Sequence, residues 1–414
     1  MKPQGRAPSA TVLIILMSDF QTPRAAAHTK ALTFAAYASF VPIGVVTVLL
    51  GPLLPALSAR WSLNYSQAGA LFTVQYLAST AAVALTGALV SHRGYRFAII
   101  AGLLPTAAGV ALLLVGSRLL GMICIAAYGA GLGLAVPPAN LLVAEANPHR
   151  RSAALNLLNF CWSAGAVACP FLMAAAAKIQ RVPLLLAVVA GSLFLVAIGI
   201  AATPSSTVEP AAVANPSEKT DQRINWRHPA LPVLAAVFFI YIGTENGVGG
   251  WVASYAKTLG SMTEAMSLMT PSFFYAALML GRWLAPLLLR RIDDVRLMQA
   301  GLLVACGGTA GLLLSRDLLA VGISAGLAGL GLSVVYPIMI SLLSREFGSA
   351  GSRVGSLMFT LAYIGGGLLP WLVGVSSNQF GTLKAGLAVP LIGGAAMFLL
   401  LLRGWKPAPA KQQV

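Results

Sequence analysis

Apolar residues run through this chain in long blocks, and polar residues interrupt the blocks instead of alternating within them. A helix needs about 20 apolar residues, rising 1.5 Å each, to cross about 30 Å of hydrocarbon. Reading between charged, polar and Pro/Gly interruptions predicts twelve such helices. They cover residues 31–57, 67–90, 97–116, 119–143, 152–177, 182–202, 229–256, 264–289, 297–314, 318–344, 353–377 and 382–402. The 42 glycines and 24 prolines do not argue against this. In membrane helices small residues permit close packing, and neighbours satisfy freed backbone groups.

Composition narrows the class. Of 414 residues 58% are apolar and 9% charged, against about 25% charged in soluble domains. A soluble enzyme is excluded, and the expectation is an integral protein of the lipid bilayer. The net charge of +16 is a topology signal. With the N-terminus inside, 19 of the 27 Lys+Arg fall on the cytoplasmic side and seven on the other, with Arg282 inside a span. That bias places both termini in the cytoplasm, and attraction to anionic lipid adds to it. No nucleic-acid partner is needed to explain the charge.

Cys124, Cys161, Cys169 and Cys306 all lie in apolar stretches, with no CxxC and no histidine at metal spacing, so they read as core residues. No metal and no other cofactor is expected. The four histidines (His28, His92, His149, His228) fall in loops or the N-tail and no Asp is deep, so no nucleophile–base pair presents itself and the protein is not expected to be an enzyme. Residues 1–30 read as a cytoplasmic tail. The run Val12–Met17 is too short for a signal peptide, and a true start at Met17 fits equally.

The stretch 203–228 is the one long polar segment within the spans, a cytoplasmic linker that divides a half at 31–202 from a half at 229–402. Residues 403–414 form a second tail. Ala101-Gly102-Leu103-Leu104 recurs as Ala300-Gly301-Leu302-Leu303. Gly131-Leu132-Gly133-Leu134 recurs as Gly329-Leu330-Gly331-Leu332, and Gly165 and Pro170 recur as Gly365 and Pro370. Three matches near one offset mark a repeat. The expected fold is an all-α membrane protein of 12 transmembrane helices in two pseudo-symmetric six-helix halves, the design of alternating-access transporters.

Charge inside a bilayer is costly and marks candidate function. Of the eleven acids only Glu245 is deep, about 16 Å or more from either end of its helix. Gly247, Gly249 and Gly250 follow it and should loosen that helix near the midplane. Tyr241 lies one turn earlier on the same face. Burial disfavours a charged carboxyl, so Glu245 suits proton carriage; it could equally accept hydrogen bonds from substrate, or simply bond a neighbouring helix. Asn156, Asn159 and Ser163 share one helix face beside Trp162. Amides both donate and accept, which suits a polyol, and an indole offers a platform for a sugar's C–H face; interhelical bonding is the alternative. Gln75, Asn140, Asn246, Trp251, Tyr336 and Tyr363 are further mid-span substrate candidates. Gly281-Arg282 fits either a cytoplasmic-gate ion pair or a snorkelling side chain.

The stretch Gly87-Ala-Leu-Val-Ser91-His92-Arg93-Gly94-Tyr95-Arg96 resembles the loop motif of the major facilitator superfamily. Gly87, Gly94 and Arg96 fit its cytoplasmic gate, while Ser91 stands at the usual acid. Within that superfamily the chain is similar to the fucose/glucose permease branch. The likeness rests on Gly131-Leu-Gly-Leu with Ala139-Asn140, Leu155–Asn159 with Gly165-Ala166, Tyr241–Trp251 with Tyr255, and Ile364-Gly-Gly-Gly367 with Pro370. The resemblance implies a sugar carrier in a bacterial inner membrane, coupled to protons. It also implies carboxylates at the positions held here by Gly51 and Val136, which leaves Glu245 as the sole candidate for coupling. The expected cargo is a monosaccharide moved by alternating access in a monomer. An uncoupled sugar facilitator, an exporter of amphiphilic or drug-like compounds, and a receptor without flux are the alternatives. The amides favour the polyhydroxyl cargo over a greasy cation.

Overall fold

A computed structural model describes residues 23–203, 227–347 and 351–403, and most of the expected N-tail, linker and C-tail lies outside these. The described residues hold no β-strand. The helices are α1 (Pro23–Arg60), α2 (Tyr65–Leu112), α3 (Arg118–Ala146), α4 (Arg151–Lys178), α5 (Val182–Ala202), α6 (Ala230–Gly249), α7 (Val252–Thr258), α8 (Glu264–Leu288), α9 (Asp294–Leu314), α10 (Leu318–Leu332), α11 (Val335–Phe347), α12 (Gly351–Phe380) and α13 (Leu383–Arg403).

These helices make twelve spans. Ten helical stretches are long and apolar enough to cross a bilayer, with α6–α7 and α10–α11 each counting once. One of the ten, α2, is two spans run together across Gly94, whose φ of 77° only glycine adopts freely. The twelfth is α8, made less apolar by Arg282 and by the buried Ser267, Thr270 and Ser272.

Lipid is as apolar as leucine, so helix association here depends on close packing and not on a hydrophobic force. The repeated glycines supply that packing twice over. A Cβ on Gly102 of α2 would lie 2.5 Å from the Gly131 carbonyl oxygen of α3, and one on Gly301 of α9 would lie 2.6 Å from the Gly331 carbonyl oxygen of α10. Gly165 of α4 likewise abuts the Val41 carbonyl of α1, and Gly365 of α12 abuts the Phe239 carbonyl of α6. The internal repeat is therefore one set of helix crossings built twice.

The halves meet mainly where α2 packs on α12 and α4 packs on α8. Thr73 donates to the Gly367 carbonyl at 3.0 Å and Ser272 to the Val167 carbonyl at 2.9 Å. Gly51 approaches Gly250 backbone to backbone, where an added Cβ would sit 3.0 Å from the Gly250 Cα, and Gly69 approaches Trp371 in the same way. These contacts lie towards the end of the bundle carrying Arg60, Lys257 and Lys384, the charge-poor end. Towards the opposite, charge-rich end, Asn156 and Asn159 of α4 are exposed.

Candidate functional site

The site forms around Glu245, where α6 gives way to α7 after Gly249 and Gly250. The interruption at Gly250-Trp251 is slight: both residues keep helical backbone angles and the Gly250 N–H still donates to the Asn246 carbonyl at 2.8 Å. Glu245 is enclosed by groups from several helices. Tyr241 donates its hydroxyl to Glu245 Oε2 at 2.5 Å, and Arg282 Nη2 of α8 lies 3.8 Å from the same oxygen. The ring of Tyr336, on α11, stacks on Tyr241 with centroids 6.0 Å apart.

From the N-terminal half comes Trp162 of α4. Its ring centroid lies 5.5 Å from the Arg282 guanidinium carbon, and its indole N–H donates to Thr47 of α1 at 3.3 Å. Asn159 stands one turn away towards the charge-rich end, exposed, its amide bonded to the Leu155 carbonyl. Beside Glu245, Asn246 donates across the halves to the Tyr76 hydroxyl at 2.7 Å, and Tyr76 packs against Tyr363 at 5.8 Å. Behind these, Tyr128 donates to Gln75 at 3.1 Å, both buried.

The electrostatics follow from one pairing. Glu245 and Arg282 keep side-chain exposures of 13% and 20%, and the Tyr241 hydroxyl interacts with both. Removing one partner of such a pair leaves the other uncompensated. With both present the centre is neutral, ringed by phenols, amides and an indole. Arg282 Nε is buried without a hydrogen-bond partner, a spare donor within the cluster.

Several expectations change. Arg282 lies beside the central groups, because the crossing of α8 with α4 and α6 brings it to Glu245 and Trp162. Gly281 instead gives close packing, since a Cβ there would run into Ser333, just after α10. Trp251 does not join the cluster. It is 1% exposed, donates to the Pro370 carbonyl at 3.0 Å and packs against Phe72. Gln75 is a step behind the surface. Asn140 is half-buried and bonded to the Val136 carbonyl of its own helix. Arg96 reaches the Ala201 carbonyl at the end of α5, tying elements of one half, while Gly87 has open space where a side chain would be. Gly51, at the position of an expected carboxylate, has no room for one against Gly250. Tyr76, Tyr128 and Thr47 are additions that the sequence does not single out; a tyrosine at mid-span beside Gln75 is the one available signal.

Comparison with known proteins identifies the fold and the family. A glucose/galactose transporter of Brucella abortus biovar 1 (strain 9-941) is 25% identical over 369 residues, covering 82% of this chain and 85% of the relative. A crystal structure of a D-xylose–proton symporter superposes with a TM-score of 0.77 at 15% identity, covering 92% of this chain and 99% of that one. A single-substitution variant of the E. coli fucose:proton symporter superposes with a TM-score of 0.61 at 18% identity, covering 91% and 98%. Residues 32–370 match the Major Facilitator Superfamily as a whole. Twelve spans, a twice-built set of crossings and this match make one conclusion: the chain is a membrane transporter belonging to the Major Facilitator Superfamily.

Proposed function

We propose that this protein is a secondary transporter of a monosaccharide, a hexose or deoxyhexose, working by alternating access in a bacterial inner membrane with its charge-rich end in the cytoplasm. The observation that carries the reading is the Glu245–Arg282 pair facing Trp162 across the boundary between the halves. A neutral centre of carboxylate, guanidinium, amide and phenol supplies donors and acceptors for several hydroxyls without attracting net charge. The indole supplies an apolar face for the sugar ring. Relatives named as glucose/galactose transporters support the same cargo. The contacting groups are Asn159, Trp162, Glu245, Asn246, Arg282, Tyr336 and Tyr363. Proton coupling is assigned to Glu245, the one deep acid.

The pairing also weighs against export of organic cations. A carboxylate already held by a guanidinium offers a cation little net attraction. Counterflow in proteoliposomes tests the cargo without reference to coupling: unlabelled hexose inside, labelled hexose outside, no ion gradient. Transient accumulation with glucose, galactose, mannose or fucose is expected. A flat trace with all four, from folded protein, would overturn the reading.

A further inference from the structure

The seam between α4 and α8 ends, on both sides, in unpaired arginines. Two contacts fix its antiparallel register: Ser272 of α8 with the Val167 carbonyl, and Arg282 with Trp162. Arg151 lies 16 residues before Val167 and Arg290 lies 18 after Ser272, so both stand about 25 Å along the seam at 1.5 Å per residue. Arg150 and Arg151 on one half, and Arg290 and Arg291 on the other, are therefore level with each other at the charge-rich end. All four are exposed, and no described carboxylate holds them. The nearby acids are already taken, Asp293 by Arg296 and Asp294 by Arg345.

The helix faces leading to these arginines are apolar and uncovered. On α4 they are Leu157 and Phe160, one turn apart; on α8 they are Leu280, Trp283 (68% exposed) and Leu287, at three- and four-residue spacing on one face. A cationic rim above an apolar track on each side of a seam fits an anionic phospholipid. Guanidinium forks pair with a phosphate bidentately, and the acyl chains cover the track.

Resting on the alternating-access reading but not on the cargo, we propose that one anionic phospholipid docks on the α4–α8 seam and favours closure of the charge-rich end. Its headgroup is shared by the arginines of both halves. Closure brings those two sets of like charge together, which is unfavourable when nothing lies between them. A phosphate shared by both sets turns that repulsion into a bridge. A lipid that binds the closed form better shifts the halves towards it.

The test pairs lipid retention with thiol labelling, both without sugar. Native mass spectrometry of the full-length protein compares phosphatidylglycerol with phosphatidylcholine. Wild type should retain phosphatidylglycerol about fivefold or more over phosphatidylcholine, given the attraction of each arginine for an anionic surface. Arg150→Gln with Arg151→Gln, and Arg290→Gln with Arg291→Gln, should each lose most of that preference; either pair that folds carries the test. Arg93→Gln with Arg296→Gln removes the same charge elsewhere at that end and should keep it. In nanodiscs, maleimide labelling of Asn156→Cys in a Cys161→Ser background reports the opening. Phosphatidylglycerol should slow it about threefold or more, as a shift to the closed form requires, and should fail to do so without the four arginines. Equal retention of the two lipids would overturn the docking, as would a preference that survives both paired substitutions or falls equally in the control. Retained lipid with labelling unchanged would overturn the effect on closure. The monosaccharide assignment stands or falls by counterflow, apart from either result.

Discussion

Trp251 meets Tyr65 edge-on across the boundary between the halves, with ring centroids 6.4 Å apart and planes inclined at 63°. The two side chains share a shallow cleft at the charge-poor end with Pro55, Ser58, Leu63, Ser254, Lys257 and Leu383. Trp251 is anchored in its own half by the Pro370 carbonyl, so it presents a fixed aromatic edge to Tyr65 and Phe72 of the other half. These contacts join the halves beside the cleft.

Truncating the Trp251 side chain should open a path from this cleft between the halves. Trp251→Ala is expected to cost about 3–5 kcal/mol of stability, as removal of large buried aromatics does. It should also speed reaction of a Ser254→Cys thiol with a membrane-impermeant maleimide. A thermal melt and a labelling time course check both, and slow labelling equal to the single Cys variant would remove Trp251 from the closure.

Glu245→Gln keeps the shape and the Tyr241 contact but cannot cycle a proton. Accumulation driven by a pH gradient should vanish while counterflow persists, because exchange needs only binding and movement of the halves. Undiminished accumulation in proteoliposomes would take Glu245 out of coupling and leave the carrier to another ion or to none.

Trp162→Ala should weaken hexose affinity about fivefold or more, in line with the roughly 1 kcal/mol that specific aromatic packing supplies. Equilibrium binding of labelled glucose measures it. Unchanged affinity would return Trp162 to a packing role against Thr47 and Arg282.

Arg96 bonds the last turn of α5, where a cation also meets the negative end of the helix dipole. Arg96→Ala should therefore lower thermal stability by about 1 kcal/mol while counterflow per folded molecule stays near wild type. A gate residue would show the reverse pattern, with transport lost at unchanged stability.

Most of the fold is legible in the sequence, and the reasons are physical. A span of about 20 apolar residues has few other fates, and the Gly102/Gly301 and Gly165/Gly365 pairs mark crossings that a side chain would block. The interruption after Gly249 is signalled by its glycines, whereas Gly329 and Gly331, just before the break between α10 and α11 at Ser333-Val334, read in the sequence only as part of the repeat. The site is half legible. Glu245 and Tyr241 stand out because depth and a one-turn spacing can be counted along one helix. Arg282 is misplaced by its sequence position, which points to the charge-rich end, and only the packing of α8 against α4 and α6 gives it partners. Trp251 misleads for a similar reason: mid-span aromatics look alike until the partner half shows which of them is covered.

The three hydrogen bonds described between the halves, from Thr73, Ser272 and Asn246, are all neutral, and two of them end on main-chain carbonyls. Each is of the kind that water can replace at a net cost of about 0.5–1.5 kcal/mol. A closure held this way parts in small, comparable steps and feels little of the salt around it. The rate at which the charge-poor end opens should thus be nearly independent of ionic strength, leaving the carrier's response to its surroundings to charged groups elsewhere.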